Sequence, residues 1–204
     1  GILEDTVVIY TSDQGMFLGE HDYQDKRWSF EESLRTPLLI RYPREIPAHT
    51  NCTELMANID IAPTLLDYAE ISIPENMQGI SCRNMIAGKP QEEYHKGIYF
   101  RYWMHLAHQH DNPAHYGVRT KDYKLTFYYG LALDAEGAVD KPTQPGWELY
   151  DLQKDPGELK NVYEDPAYYE IREELKGLLC ELKEKYQDQD EAYVELQRTF
   201  EKYK

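Results

Sequence analysis

Two apolar runs separated by a long polar loop dominate the start of the chain. Residues 6–11 read TVVIYT, and residues 37–42 read PLLIRY. A continuous, β-branched apolar run is typical of a strand that is buried on both faces of a parallel sheet. The loop between the runs is polar, contains glycine and is longer than a simple connection requires. Because long loops at strand ends often carry binding or catalytic residues, this loop is the first place to look for function.

The pattern after this region predicts one helix and then an antiparallel sheet. Residues 60–69 (DIAPTLLDYA) favour a helix, with Asp60 as its N-cap and Pro63 in its first turn. Four later segments favour strands, namely residues 96–103, 116–120, 123–129 and 147–152. We expect this sheet to belong to a second domain, so that the chain divides into residues 1–91 and 92–204.

Helical periodicity returns in the C-terminal part. A long helix is expected after Asp165 and Pro166, with one apolar stripe made of Ile171, Leu175, Leu178 and Leu182. A second helical segment is expected over residues 190–203. The acidic residues of both helices are most simply a solvated face.

Charge and cysteine content narrow the function classes. The 204-residue chain has a formal net charge of −15, which argues against non-specific nucleic-acid binding. Its three cysteines, Cys52, Cys82 and Cys180, are far apart, so they indicate neither a disulfide framework nor a zinc site. No apolar run reaches the roughly 18 residues of a membrane span, and no signal peptide is visible. Because the chain opens almost directly on an apolar strand, we expect that its natural N-terminus is missing.

The loop after the first apolar run carries the candidate chemistry. Asp13 and Gln14 follow the run directly, and both offer hard oxygen ligands that suit Ca²⁺ or Mg²⁺. Gly15 allows the backbone to turn sharply after them. Lys26 is a point charge that can bind an anion. Taken singly, such an Asp is usually a turn residue and such a Lys is usually solvated, but their combination at one strand end favours a site.

The motif in this loop resembles a known enzyme family. Residues 11–38 follow the pattern TSDQG-x-x-LGEH-x-x-x-x-K-x-x-x-x-E-x-S-x-R-x-P-L. This pattern resembles the second signature region of the formylglycine-dependent, or type I, sulfatases of the alkaline phosphatase superfamily. The later segments IDIAPTLL, GVRTKDYKL and ELYDLQKDPGELKN also resemble that family, so the likeness covers most of the chain. It implies an α/β fold, with the C-terminal part of an alkaline-phosphatase-like parallel-sheet core plus a small subdomain of antiparallel sheet and helices.

The resemblance implies a role for each loop residue. Asp13 and Gln14 match two metal ligands of the family, whose metal is usually Ca²⁺, with Mg²⁺ as an alternative. Gln14 departs from the commoner Asn but keeps an oxygen ligand. Lys26 matches the lysine that contacts the sulfate, so it is the expected catalytic and substrate-binding residue. A cation and a lysine together stabilise the charge that develops as a sulfate ester breaks.

The nucleophile of the family is absent from the sequence. In the family, a formylglycine is made from Cys or Ser in a C-x-P-S-R type motif, and none of the three cysteines lies in such a motif. We therefore expect the formylglycine in a missing N-terminal part, and we expect the 204-residue chain alone to be inactive. The resemblance implies a sulfuric ester hydrolase, acting on a small or oligosaccharide sulfate ester. A phosphoesterase or phosphonate hydrolase of the same superfamily and a non-catalytic anion- or carbohydrate-binding protein remain alternatives.

A histidine-rich segment supplies one more candidate. Residues 105–116 read HLAHQHDNPAHY and form no recognised zinc pattern. The resemblance suggests a substrate-specificity loop, with His115 as the candidate substrate-binding residue. His21 of the LGEH motif is expected to be a structural loop residue, and Glu31, Glu32 and Arg35 are expected to lock the loop by pairing. Family habit further suggests a periplasmic or extracellular protein, and a homo-oligomer is possible.

Overall fold

The chain forms two compact units. The computed structural model describes residues 1–91, 94–188 and 190–204. One unit consists of Gly1–Lys26 and Phe30–Lys96, and the other consists of Arg27–Ser29 and Gly97–Lys204. Both contain helices and strands, which confirms the α/β class. The boundary expected between residues 91 and 92 falls on residues outside the described ranges and stays a prediction.

The first unit contains short elements joined by long loops. Turns of 3-10 helix lie at Leu3–Asp5, Glu20–Asp22 and Asn58–Asp60. In chain order, the other elements are β1 (Val8–Thr11), β2 (Phe17–Leu18), β3 (Gln24–Asp25), α1 (Glu31–Leu34), β4 (Leu38–Arg41), α2 (Ile61–Tyr68) and α3 (Arg83–Ile86). A small apolar cluster around Cys82, Met85 and Ile86 forms a core of this unit.

The two predicted strands of this unit pair with each other. β1 and β4 are antiparallel, with Ile9 opposite Ile40 and Tyr10 opposite Leu39. This pairing corrects the parallel, fully buried strand that was expected over residues 6–11. Val8, Tyr10 and Leu39 are 45%, 64% and 66% exposed. The apolar run indicates a strand suited to burial, but the pattern alone cannot say which strand pairs with it or what covers it.

Asp60 joins three segments of the first unit. The helix expected over residues 60–69 is observed as α2, but Asp60 makes no side-chain cap to it. Its buried carboxylate instead accepts hydrogen bonds from the backbone N–H groups of Ala57 (2.7 Å) and Ile80 (2.9 Å). It also lies 2.7 Å from the Nε2 atom of His95. Asp60 therefore occupies the expected N-cap position, but its side chain does not cap the helix, because Ile80 and His95, distant in sequence, contact its two carboxylate oxygens.

The second unit is a four-stranded antiparallel sheet covered by helices. Its 3-10 turns lie at Ala107–Gln109 and Pro166–Tyr168. Its other elements are β5 (Ile98–Tyr102), β6 (His115–Arg119), β7 (Tyr123–Tyr128), β8 (Gly146–Asp151), α4 (Tyr169–Lys185) and α5 (Val194–Tyr203). The strands lie in the order β5-β6-β7-β8, with each neighbouring pair antiparallel. The predicted antiparallel sheet and C-terminal helices are confirmed.

The core of this unit lies between the sheet and α4. Leu175 and Leu182 of the predicted stripe are buried, and they join a cluster that contains Leu125, Phe127 and Leu149 of the sheet. One charged pair is also fully buried, since Lys124 of β7 and Glu158 have side chains 0% and 1% exposed and approach within 2.5 Å. In the described part of the chain, no helix has the length and apolarity needed to cross a membrane.

Candidate functional site

The two candidate metal ligands lie directly beyond the end of β1. Asp13 is exposed and Gln14 is half-buried. The hydroxyl of Ser12 lies within hydrogen-bond distance of the Asp13 Oδ1 atom (3.2 Å) and of the Gln14 backbone carbonyl (3.0 Å). These contacts order the turn while leaving most of the Asp13 carboxylate open to solvent. The turn therefore presents one carboxylate and one amide side chain in succession.

Gly15 fixes this turn against α1. Its N–H donates to the carbonyl of Ser33 (3.0 Å). A Cβ atom at residue 15 would overlap the backbone carbonyl of Glu32 and would lie 2.7 Å from that of Arg35. The glycine is therefore required by this close approach of two backbones, in addition to any freedom it gives the turn. As a result, Gln14 precedes a residue that is packed directly on α1.

Lys26 lies at the end of a small, strained hairpin. β2 and β3 pair through Phe17 opposite Asp25 and Leu18 opposite Gln24, and Lys26 follows at once. Its neighbours Asp25 and Arg27 have φ angles of 71° and 103°, in the left-handed region that residues other than glycine seldom adopt. Lys26 itself is half-buried. Such strain often marks a functional position, since it persists only where the surroundings impose it.

His21 packs the hairpin onto α1. Its ring lies parallel to that of Phe30, with centroids 4.0 Å apart and 14° between the planes. Its Nε2 atom lies 3.6 Å from a carboxylate oxygen of Glu32, on α1. The turn that contains Asp13 and the hairpin that ends at Lys26 are therefore both held by the same short helix. The expected pairing within this loop is observed for Glu32, with His21 as its partner.

The donor set at the end of β1 fits part of a hard-cation site. Carboxylate and amide oxygens are ligands of Ca²⁺ and Mg²⁺. Within the described ranges, no group of three or more His, Cys, Asp or Glu side chains could hold a metal. Since Ca²⁺ takes about six to eight oxygen ligands, Asp13 and Gln14 can supply only a share of them. The metal assignment stays a prediction.

His115 occupies a different environment from the one expected. It opens β6, and its side chain is 1% exposed. Its ring stacks on Tyr102 at 5.4 Å and lies 4.9 Å from the ring of Tyr128. Its Nδ1 atom lies 2.8 Å from the Pro113 carbonyl, and burial lowers the pKa of His115 to about 4. The structure therefore gives no support to a substrate contact by His115.

The rest of the histidine-rich segment is also partly structural. His105 is buried, its Nδ1 atom accepts a hydrogen bond from the backbone N–H of Ala114 (3.0 Å), and its Nε2 lies 3.0 Å from the Lys141 carbonyl. His108, in contrast, is exposed and has a φ of 58°. Sequence spacing could not separate these histidines, because their burial depends on contacts with a distant loop.

Comparison with known proteins agrees with the motif. Residues 19–185 match the family described as N-sulphoglucosamine sulphohydrolase, C-terminal. An N-acetylglucosamine-6-O-sulfatase of Bacteroides thetaiotaomicron is 38% identical over 93% of this chain and 32% of its own length. A solved structure of a protein in complex with its substrate D-glucosamine-2-N,6-O-disulfate has a TM-score of 0.82 at 38% identity, covering 95% of this chain and 37% of that one.

A second type of enzyme shares the fold. The phosphonate monoester hydrolase of Agrobacterium radiobacter has a TM-score of 0.72 at 25% identity, covering 90% of this chain and 36% of that one. The fold, the motif and the relatives together define the chain as the C-terminal portion of a type I sulfatase with an alkaline-phosphatase-like architecture. The chain belongs to the N-sulphoglucosamine sulphohydrolase C-terminal family. It spans about a third of the length of the relatives it matches.

Proposed function

We propose that the protein containing this chain hydrolyses sulfate esters of a carbohydrate. The observation that carries the proposal is the position of Lys26, which matches the sulfate-contacting lysine of the motif and lies between two left-handed residues. Among the residues that the structure describes, its ammonium group has no ion-pair or hydrogen-bond partner. A half-buried cation in a strained turn is well suited to receive an anion from outside the turn.

The residues of this chain divide the work of binding and charge stabilisation. Asp13 and Gln14 would hold part of the coordination shell of Ca²⁺, or of Mg²⁺, which when bound would act as a Lewis acid towards the sulfate oxygens. Lys26 would bind a sulfate oxygen and offset the negative charge that grows as the ester S–O bond breaks. The nucleophile would lie outside these 204 residues, because no formylglycine motif occurs in them.

Two features of the relatives support a sugar substrate. One is named an N-acetylglucosamine-6-O-sulfatase, and another was solved with a disulfated glucosamine. A sulfated amino sugar is therefore the first substrate class to test, as a small molecule or within an oligosaccharide. We place the protein in the periplasm or outside the cell, where polymeric sulfated glycans are found.

Phosphonate hydrolysis is the second candidate activity. The fold is shared with a phosphonate monoester hydrolase. A hard cation and a lysine can stabilise a phosphoryl group as well as a sulfuryl group. The two activities are distinguished by comparing kcat/KM for a glucosamine 6-sulfate and for an aryl phosphonate, with the full natural chain supplied with Ca²⁺. A higher kcat/KM for the sulfate ester is expected, and a preference for the phosphonate would overturn the proposal.

Substitution of Lys26 tests the role of the lysine directly. In the full natural chain, Lys26→Ala is expected to lower kcat by on the order of 100-fold or more, as loss of a charge-stabilising donor does. Lys160→Ala removes the same charge from an exposed position and should leave kcat unchanged. Unfolding temperatures of both variants should match that of the wild type. Near-normal kcat for Lys26→Ala would remove the lysine from the reaction.

A further inference from the structure

The segment that leads to Lys26 contains an unusual concentration of left-handed residues. His21, Asp22, Asp25 and Arg27 have φ angles of 53°, 60°, 71° and 103°. None of them is glycine, so each conformation costs energy that the surroundings must offset. Asp and His tolerate this region better than most residues, whereas a long side chain such as that of Arg27 does so less readily. The hairpin would therefore relax to other conformations unless something outside its own backbone held it.

The ladder of the hairpin is too short to supply that restraint alone. It consists of two residue pairs, and short two-stranded hairpins are marginally stable in water. One side-chain anchor is an aromatic cluster. Phe17 is buried and meets the rings of His21, Tyr23 and Phe30 edge-on at 6.2, 5.8 and 6.2 Å. Phe30 directly precedes α1, so the cluster connects the hairpin to that helix.

His21 combines this aromatic contact with a polar one. Its ring covers the face of Phe30, and its Nε2 atom lies at ion-pair distance from Glu32. The Oε2 atom of Glu32 is buried and has no hydrogen bond within the described ranges. A buried carboxylate oxygen without a hydrogen bond is costly, so the electrostatic contact with the imidazole matters for the helix as well as for the hairpin.

The helix α1 also contacts the turn that contains Asp13 and Gln14. Gly15 donates to the Ser33 carbonyl, and its missing Cβ lets the backbone that follows Asp13 and Gln14 reach α1. One four-residue helix thus contacts both the turn with the candidate metal ligands and the hairpin with the candidate sulfate lysine. The separation of these two parts depends on both contacts.

We propose that His21 is a positioning residue that fixes the Lys26 turn relative to Asp13 and Gln14 by clamping the hairpin onto α1. The inference rests on the role of Lys26 in the proposed function. His21 acts through Lys26 and does not touch the substrate. Loss of the clamp frees the strained turn, and Lys26 then spends less time where it can meet the developing charge. A displacement of about 1 Å is enough to cost up to 100-fold in rate.

A double-mutant cycle on the full natural chain tests this inference. The variants are His21→Ala, Lys26→Ala and the double variant, assayed for kcat and KM with the same sulfate ester. His21→Ala is expected to lower kcat by about 10-fold to 100-fold, with KM changed by less than about threefold. In the Lys26→Ala background, the same substitution should have almost no further effect on kcat. Residues that act through one another are non-additive in this way.

Two further variants control for folding. His21→Phe keeps the stacking on Phe30 and loses the contact with Glu32, so it should fold and show the same non-additive loss of kcat, though a smaller one. His49→Ala removes an exposed histidine of the same unit, which also has a positive φ of 63°, and should leave kcat unchanged. If His21→Ala fails to fold, the cycle with His21→Phe decides the question.

The outcomes separate the inference from the proposed function. Suppose that Lys26→Ala lowers kcat and that the double variant shows the full product of the two single-variant losses of kcat. The positioning role is then overturned, while the sulfatase proposal stands. An unchanged kcat in folded His21→Phe and His21→Ala also overturns it. If Lys26→Ala itself retains near-normal kcat, the proposed role of Lys26 fails first, and the positioning role fails with it.

Discussion

The burial of His115 predicts a specific dependence of stability on pH. The side chain is enclosed by aromatic rings of its own sheet, and its Nδ1–H can donate to the Pro113 carbonyl while the ring is neutral. Burial lowers its pKa from 6.5 to about 4, opposed in part by that hydrogen bond, and the Lys124 cation acts in the same direction as burial. Protonation is thus disfavoured in the folded state and unhindered in the unfolded state.

The sign and size of the effect follow from this difference. Between pH 6.5 and pH 4, the unfolded chain binds a proton at His115 and the folded chain does not, so stability falls as the pH falls. A pKa difference of roughly 2.5 units corresponds to about 3 kcal/mol of unfolding free energy, because each unit is worth about 1.4 kcal/mol. The contribution is absent above pH 6.5 and fully expressed below pH 4.

Urea unfolding of the 204-residue chain can measure this contribution. All three tryptophans, Trp28, Trp103 and Trp147, belong to the same unit as His115, so their fluorescence reports on that unit. His115→Asn removes the titration and can keep a donor near the Nδ1 position. As the pH falls from 7 to 4, the wild type should lose about 3 kcal/mol of unfolding free energy that the His115→Asn variant does not lose.

An exposed histidine from the same segment provides the matched control. His108→Asn should show no such difference across this pH range, because the side chain at residue 108 is exposed. Carboxylates also titrate in this range, but they are common to all three proteins and cancel in the comparison. A difference between wild type and His115→Asn that stays flat from pH 7 to pH 4 would refute the burial argument. A wild type that gains stability relative to His115→Asn as the pH falls would refute the predicted direction of the effect.

Two other predictions concern the buried pair and the isolated chain. Lys124→Met leaves the carboxylate of Glu158 buried without its cation, so the unfolding free energy measured in urea should fall by about 3 to 5 kcal/mol, and adding Glu158→Leu should recover most of the loss. An equal or larger loss in the double variant would contradict this reading. The 204-residue chain alone should not hydrolyse an aryl sulfate in the presence of Ca²⁺, since no formylglycine motif occurs in it. Turnover equal to that of the full natural chain would show that the nucleophile lies within these residues.

Local patterns were sufficient to predict the second unit. β7 (YKLTFY) and β8 (GWELYD) are rich in aromatic residues. Lys121 and Asp122 form the turn between β6 and β7, across which the Thr120 N–H donates to the Tyr123 carbonyl. The α4 stripe follows helical spacing in part. Leu175 and Leu182 are buried and Leu178 is partly buried, whereas the fully buried Leu179 lies outside the predicted stripe. In the four-stranded sheet, each strand pairs with a strand that is consecutive in the chain.

The first unit was harder to predict because its contacts join distant segments. Whether Asp60 caps a helix or binds His95 depends on a loop 35 residues away, and no periodicity records that choice. In the second unit, the burial of His115 depends likewise on Tyr102 and Tyr128, which lie on the two neighbouring strands. The motif predicted a role for Asp13 and for Lys26, but it carried no information on which contacts hold their backbone segments in place.

The spacing within the motif becomes understandable once α1 is considered. The pattern places a glycine directly after the two metal-ligand candidates and an E-x-S segment five residues after the lysine. In the structure, that later segment is α1, whose Ser33 carbonyl accepts from Gly15 and whose Glu32 faces His21. A side chain at residue 15 would push the ligand turn away from the helix, and loss of the imidazole would release the lysine turn. The glycine, the histidine and the short helix therefore do a single physical task, which is to hold Lys26 at a fixed distance from Asp13 and Gln14, as the proposed function requires.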